Sequence, residues 1–309
     1  MFIGWLILVV GSAGAVGRHG NGEGKLFRRE ESEADKWWMP FGNESESEDE
    51  GYPVEIEAQQ QSWMLSERLA RAAEALPYSH VRDLLSSLRI CGACDGFRAF
   101  GKSHVGGGYL LCTDGLEGEA APLGAYTLGV SDHGTWAQDV AEELGVKVHQ
   151  LDCRKSPKSV CDHERCRFHP KCVGPATGLD AVPGHEADMW SLAQALERTE
   201  EAPMPSGSLL AMTDVGGSEW SLYAAEPAET LQKFSQIIVK FHDLQHAERH
   251  ADYLSALERI LGTGFQVVHL FHVEDACSFQ AGGWGLPCTL GVLFARTDER
   301  PDGCVNGEA

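Results

Sequence analysis

A chain of 309 residues with 43% apolar content is long enough for one large domain or two small ones around a sizeable core. Its formal net charge of −21 repels nucleic-acid phosphates, so no DNA or RNA partner is expected. Much of that charge is local: residues 30–57 hold eleven acids against Lys36 alone.

The amino end reads "MFIGWLILVVGSAGAVG". The apolar run from Phe2 to Val10 is too short to span a bilayer comfortably, and Ala13-Gly14-Ala15 fits an A-x-A cleavage site. Residues 1–15 are therefore expected to be a secretory signal peptide; the alternative, an uncleaved short anchor, is the one route to a membrane. Residues 16–57 are Gly-rich, then acidic around "ESESEDE", and offer too few apolar groups to offset the entropy of ordering. They are expected to be a disordered linker, and Asn43-Glu44-Ser45 within it is a glycosylation sequon. The chain has ten cysteines, which suits the secretory lumen or the extracellular space. Cys91 and Cys94, with Cys161, His163, Cys166, His169 and Cys172, also carry a zinc reading, although their spacing is not that of a standard finger or ribbon. Disulfides are the simpler account, so no metal site is assigned; zinc and free thiols stay open.

Two helices are expected between residues 57 and 90, where Leu65, Leu69, Ala72 and Leu76 recur at helical spacing before Pro77. "GKSHVGGGYLLCTDGL" reads as a Gly-rich turn leading into a short strand. After residue 124 strands and helices alternate. Strands are expected at 125–130, 146–152, 167–174, 207–214, 236–242, 265–272 and 289–295. Helices are expected in "GTWAQDVAEELG", "EADMWSLAQALERT" and "DLQHAERHADYLSALERILG". No helix separates the last two strands, which predicts an antiparallel hairpin with "VEDACSFQAGGWGLPC" as its loop. The expected fold is α/β: a Rossmann-like, seven-stranded methyltransferase sheet, mostly parallel, with a C-terminal antiparallel hairpin and helices on both faces. The domain is expected over residues 58–296, N-terminal helices included, with 297–309 as a flexible tail.

Several ordered pieces carry a family resemblance. They are "HVGGGYLLC", "AYTLGVSDHGTWAQDVAEELGVKVHQLD", "MTDVGGSEW" and "IIVKFH". Together, over residues 88–296, they resemble the methyltransferase-like proteins related to FkbM-type S-adenosylmethionine-dependent methyltransferases. The resemblance implies S-adenosylmethionine as cofactor, bound at the carboxyl ends of the strands. Gly129 is then expected where backbone passes close to the cofactor's methionine part, and Asp152 where a carboxylate accepts the two ribose hydroxyls. Asp214 is expected to face the same crevice, with Asp132 and Asp139 holding the cofactor's ammonium. Gly217 allows the tight turn after Asp214. His242, just past the fifth strand, is the candidate general base for a hydroxyl acceptor, and His169 a less well placed one. The methyl acceptor is unknown: a small molecule, a glycan or a protein side chain.

Each residue also has a plainer reading. Asp152 could anchor a turn, Asp214 could accept the amides of Gly216 and Gly217, and Glu219 could be a first-turn helix acid. Trp136 and Trp220 fit core positions. The chain departs from the family pattern at Gly216 and Lys240, where acids are usual. A catalytically inactive, secreted binding or scaffold protein is therefore the alternative expectation.

Overall fold

The computed structural model describes residues 54–101, 109–130, 135–154, 161–174, 189–273 and 277–296, with side chains from residue 58 onward. The expected signal peptide, the acidic segment to residue 53, Asp132, Cys304 and the tail from residue 297 lie outside the described residues.

The apolar spacing ahead of Pro77 forms helix α1 (Val54–Ala75), followed by α2 (His80–Ser87). Leu69, Ala72, Leu84 and Leu85 bury the facing sides of the pair. Next comes a short antiparallel hairpin, β1 (Phe97–Phe100) with β2 (Tyr109–Cys112). The alternating region supplies β3 (Gly124–Leu128), α3 (Trp136–Glu143), β4 (Lys147–Leu151) and β5 (Cys166–His169). Two-residue strands β6 (Cys172–Val173) and β7 (Met189–Trp190) pair with each other, and α4 (Leu192–Arg198) follows. Then come β8 (Leu209–Thr213), α5 (Glu219–Ala225), α6 (Ala228–Leu231), β9 (Phe234–Phe241) and α7 (His250–Gly262). The chain continues through β10 (Gln266–His272), the hairpin β11 (Ser278–Ala281) and β12 (Trp284–Pro287), and β13 (Leu290–Ala295).

Seven strands form one sheet in the order β10-β13-β9-β8-β3-β4-β5. The sheet is mixed, not mostly parallel as expected. β5, β4, β3, β8 and β9 pair in parallel, whereas β13 runs antiparallel to both β9 and β10. The cause is the connection. With no crossover helix after β10, the returning strand can only pair antiparallel, and it enters between β9 and β10.

Side chains alternate between two cores. Tyr126, Leu128, Leu209, Ala211, Ile237, Val239 and Phe241 face the side of α1, α2, α4, α5 and α7. Ala125, Leu210, Met212, Ile238 and Leu293 face the side of α3 and the β1–β2 hairpin. Burial on both faces is why these strands read as unbroken apolar runs. The edge strand β10 is covered by α1, where the buried Ser62 hydroxyl accepts the Leu270 amide at 2.7 Å.

Among the described residues four disulfides join Cys94–Cys112, Cys153–Cys172, Cys161–Cys166 and Cys277–Cys288. They engage most of the cysteines behind the zinc reading, and no group of three or more potential metal ligands is assembled among the described residues. Such crosslinks fit an oxidising secretory or extracellular environment. No described helix is long and apolar enough to cross a membrane.

Candidate functional site

Strand order reverses at β3: β4 lies on one side and β8 on the other. Chain segments leaving the carboxyl ends of such strands diverge and leave a crevice. Here it is a cleft of about 390 Å³ whose walls include Gly129, Val130, Asp152, Cys153, Asp214 and Gly216.

Gly129 closes the base of the cleft. Its φ is 80°, and a Cβ there would lie 1.9 Å from the Asp214 carbonyl oxygen. Its amide donates to Leu151 O at 2.9 Å, while the Asp214 amide donates to Leu128 O at 2.8 Å. The tips of β4, β3 and β8 are thus tied at one point, in a geometry only glycine adopts without strain.

Asp152, half-buried, caps the β4 tip. Its Oδ2 accepts the Val130 amide at 2.8 Å and its Oδ1 the Arg154 amide at 2.7 Å. The turn-anchoring role and a place on the cleft wall therefore coexist.

Asp214 makes no Asx-turn with Gly216 or Gly217. Its Oδ2 accepts from Lys240 Nζ at 2.9 Å, and its Oδ1 lies 3.5 Å from His242 Nε2. The register that sets Thr213 beside Val239 brings Asp214 next to Lys240. Lys240 also meets the Tyr109 hydroxyl, and its ammonium stands 5.4 Å from that ring's centre. Burial works against the Lys240 charge, but Tyr109 and Asp214 outweigh it and hold its pKa above the ordinary lysine value. Burial conversely pushes the Tyr109 hydroxyl up.

Glu219, with no exposed surface, organises the turn behind the cleft. Its Oε2 accepts the Gly217 amide at 2.8 Å, and its Oε1 accepts the His242 amide at 2.6 Å and His242 Nδ1–H at 3.1 Å. Gly217 has φ 102°, and a Cβ there would lie 2.8 Å from Asp243 Oδ2. Glu219 is therefore more than a first-turn helix acid: it spans from the β8 turn to the end of β9. Trp220 is core, stacked between Phe241 and Tyr253 at 4.0 and 4.1 Å, with its Nε1–H donated to His242 O. Trp136 is buried on the opposite face.

The other expected site residues fall elsewhere. Asp139 is not on the described cleft wall; its Oδ2 accepts the Gly101 amide at 2.7 Å and ties α3 to the end of β1. His242 stands behind Asp214 instead of lining the cleft. His169 Nε2 lies 3.0 Å from His149 Nδ1, on the sheet face that carries α4. Sequence reading missed Tyr109 as the partner of Lys240, since nothing local announces a contact between a short hairpin and β9.

Burial disfavours the imidazolium of His242, but the Glu219 hydrogen bond and charge, with Asp214 beyond, prevail and raise its pKa above its ordinary 6.5. A raised folded-state pKa stabilises the fold fully below the unfolded value, and that contribution is lost as pH rises through the folded one. NMR titration of the His242 ring should give a midpoint above 6.5, and Glu219→Gln should lower it. A midpoint at or below 6.5 in the unmodified protein would refute this pairing.

Compared with known proteins, the chain matches no family model, and no curated protein matches it.

Proposed function

We propose that this chain is an S-adenosylmethionine-dependent methyltransferase of the secretory pathway, on a Rossmann-like methyltransferase sheet. The observation that carries the reading is the cleft at the β3/β8 switch point, bordered by Gly129, Asp152 and Asp214. Its position, at the carboxyl ends of the strands, agrees with what the family resemblance implies. The volume of about 390 Å³ falls within the range of roughly 300–1,000 Å³ usual for ligand pockets. At Gly216, on the cleft wall, a Cβ would meet nothing within 4 Å, so the β8 side is open.

When bound, the cofactor supplies an electrophilic methyl group on a sulfonium. The chain's own contribution is positioning. Asp152 stands on the cleft wall, where a carboxylate can meet two vicinal hydroxyls, and holds the Val130 and Arg154 amides in place. Gly129 lets the backbone tips of β3 and β8 meet beneath the ligand. Asp214, fixed by Lys240 and backed by His242, presents a carboxylate at the far wall. His242 serves as a base only after losing the proton that Glu219 stabilises, so base catalysis through it would strengthen as pH rises through its folded pKa. The acceptor class stays a small molecule, a glycan or a protein side chain.

A second reading, a secreted binding protein without turnover, has one observation in its favour. The Lys240 ammonium already compensates Asp214 at 2.9 Å, before any cationic ligand arrives. Calorimetric titration with S-adenosylhomocysteine tests the first reading. The expected affinity is micromolar, about −8 kcal/mol, and Asp152→Ala should weaken it at least tenfold with the near-UV circular dichroism unchanged. Absence of binding by the folded, oxidised protein would overturn the methyltransferase reading and favour the second. Binding without transfer of a labelled methyl group to any secreted acceptor pool would select the second.

A further inference from the structure

The segment 152–174 reverses the charge of the rest of the chain: it holds six lysines and arginines against three acids, in a protein of net −21. Two disulfides, Cys153–Cys172 and Cys161–Cys166, tie its described residues, 152–154 and 161–174, to the outer edge of the sheet at β5. Charge on an edge strand guards against unwanted pairing, and Arg165 and Arg167, both exposed, are in position for that. That role does not explain the aromatic centre beside them. Trp190, half-buried, has the Lys171 ammonium at 5.9 Å from its ring centre and the Arg198 guanidinium at 5.8 Å. His169 lies 6.0 Å from the same ring. Arg167 shares a strand face with His169, two residues away, and its charge is felt at His149 beneath. Among the described residues, the exposed acids nearby are Asp162, Glu164, Glu197 and Glu200, against the five cations Arg154, Arg165, Arg167, Lys171 and Arg198.

We infer that this edge is a binding surface for sulfated glycosaminoglycan chains, centred on Trp190, Lys171, Arg198 and Arg167. Arginine forks match the oxygens of a tetrahedral anion, and an aromatic face between cations offers a platform for a sugar ring. Because Arg167 and Lys171 adjoin the crosslinked Cys166 and Cys172, little backbone ordering entropy is lost there on binding. The overall charge decides which polyanion fits. At physiological salt the screening length is about 8 Å, so a thin, flexible chain can follow the patch without meeting the acidic remainder. A broad, rigid duplex cannot. The disulfides fit a compartment where sulfated glycans are the abundant polyanions. This inference does not depend on the cofactor reading.

The test uses the oxidised full chain and a heparin-derived hexasaccharide, by calorimetry and on a heparin column at roughly 0.15 M ionic strength. Retention is expected. Arg167→Glu with Arg198→Glu should lower affinity at least tenfold, and Trp190→Leu, which keeps every cation, should lower it several-fold. Arg71→Glu with Arg259→Glu, exposed on α1 and α7, makes the same change in net charge and should leave binding unaltered. Thermal unfolding of each variant checks that the fold persists. No retention of the unmodified protein overturns the inference. So does equal weakening by the two double variants. Equally tight binding of a single-stranded RNA of matched charge, lost with the same variants, overturns the choice of glycan.

Discussion

Glu219→Ala should lower unfolding free energy by about 3–5 kcal/mol, the range for removing one partner of a buried, hydrogen-bonded charge pair. The carboxylate has no exposed surface and accepts from Gly217 N, His242 N and His242 Nδ1. Alanine leaves two backbone amides and the His242 ring nitrogen without that acceptor, in a position with no exposed surface. Glu219→Gln keeps one oxygen for two amide donors, and its NH₂ group faces a donor. It should cost less, about 1–3 kcal/mol, the cost of one orphaned buried group. Equilibrium unfolding in urea under oxidising conditions measures both. A loss below about 1 kcal/mol for Glu219→Ala would mean that these contacts contribute little net stability.

Gly129→Ala is expected to damage stability and ligand binding together. A left-handed alanine costs roughly 1–2 kcal/mol. The Cβ also falls 1.9 Å from the Asp214 carbonyl oxygen, which is backbone and cannot swing away. Relief requires the tips of β3 and β8 to separate, at about 1–3 kcal/mol more. That motion breaks the Asp214–Leu128 hydrogen bond that sets the cleft floor. Gly216→Ala is the control. It shares a positive φ, 63°, yet its Cβ meets nothing, so it should show the conformational cost alone. Equal losses at the two positions would contradict the close approach.

What could be read from the residues follows from where each was constrained. Six of the seven sheet strands were legible because burial on both faces leaves continuous apolar runs bounded by turns; the expected strand 167–174 is instead split around Pro170 into the half-exposed edge strand β5 and the two-residue β6. Reading the "EADMWSLAQALERT" helix from its start failed because Met189 and Trp190 pair with Cys172 and Val173 instead. The true start was readable: Ser191 and Gln194 form a reciprocal capping box. The supposed loop "VEDACSFQAGGWGLPC" hides a hairpin, signalled by Gly282-Gly283 at φ 58° and 83° between short alternating runs. At the site, Gly129, Asp152 and Asp214 could be placed at strand tips by periodicity alone. The Asp214–Lys240 pair could not. It depends on the register between β8 and β9, which the residues of neither strand specify locally. Lys240 read as a lost acid is, in the fold, the counter-charge of Asp214. The long-range acceptors were hidden for the same reason: Glu226, buried, takes the Leu192 and Ala193 amides at the start of α4 from 34 and 33 residues away.

The central claim is that the strand tips around Gly129, Asp152 and Asp214 hold a nucleoside cofactor. Amide hydrogen exchange of the oxidised protein, with and without saturating S-adenosylhomocysteine, tests it most directly. The account predicts added protection confined to Gly129–Val130, Asp152–Arg154 and Asp214–Gly216, with the β10–α1 edge unchanged. Protection that leaves those three tips untouched and appears elsewhere in the fold, or no protection at all, would contradict it.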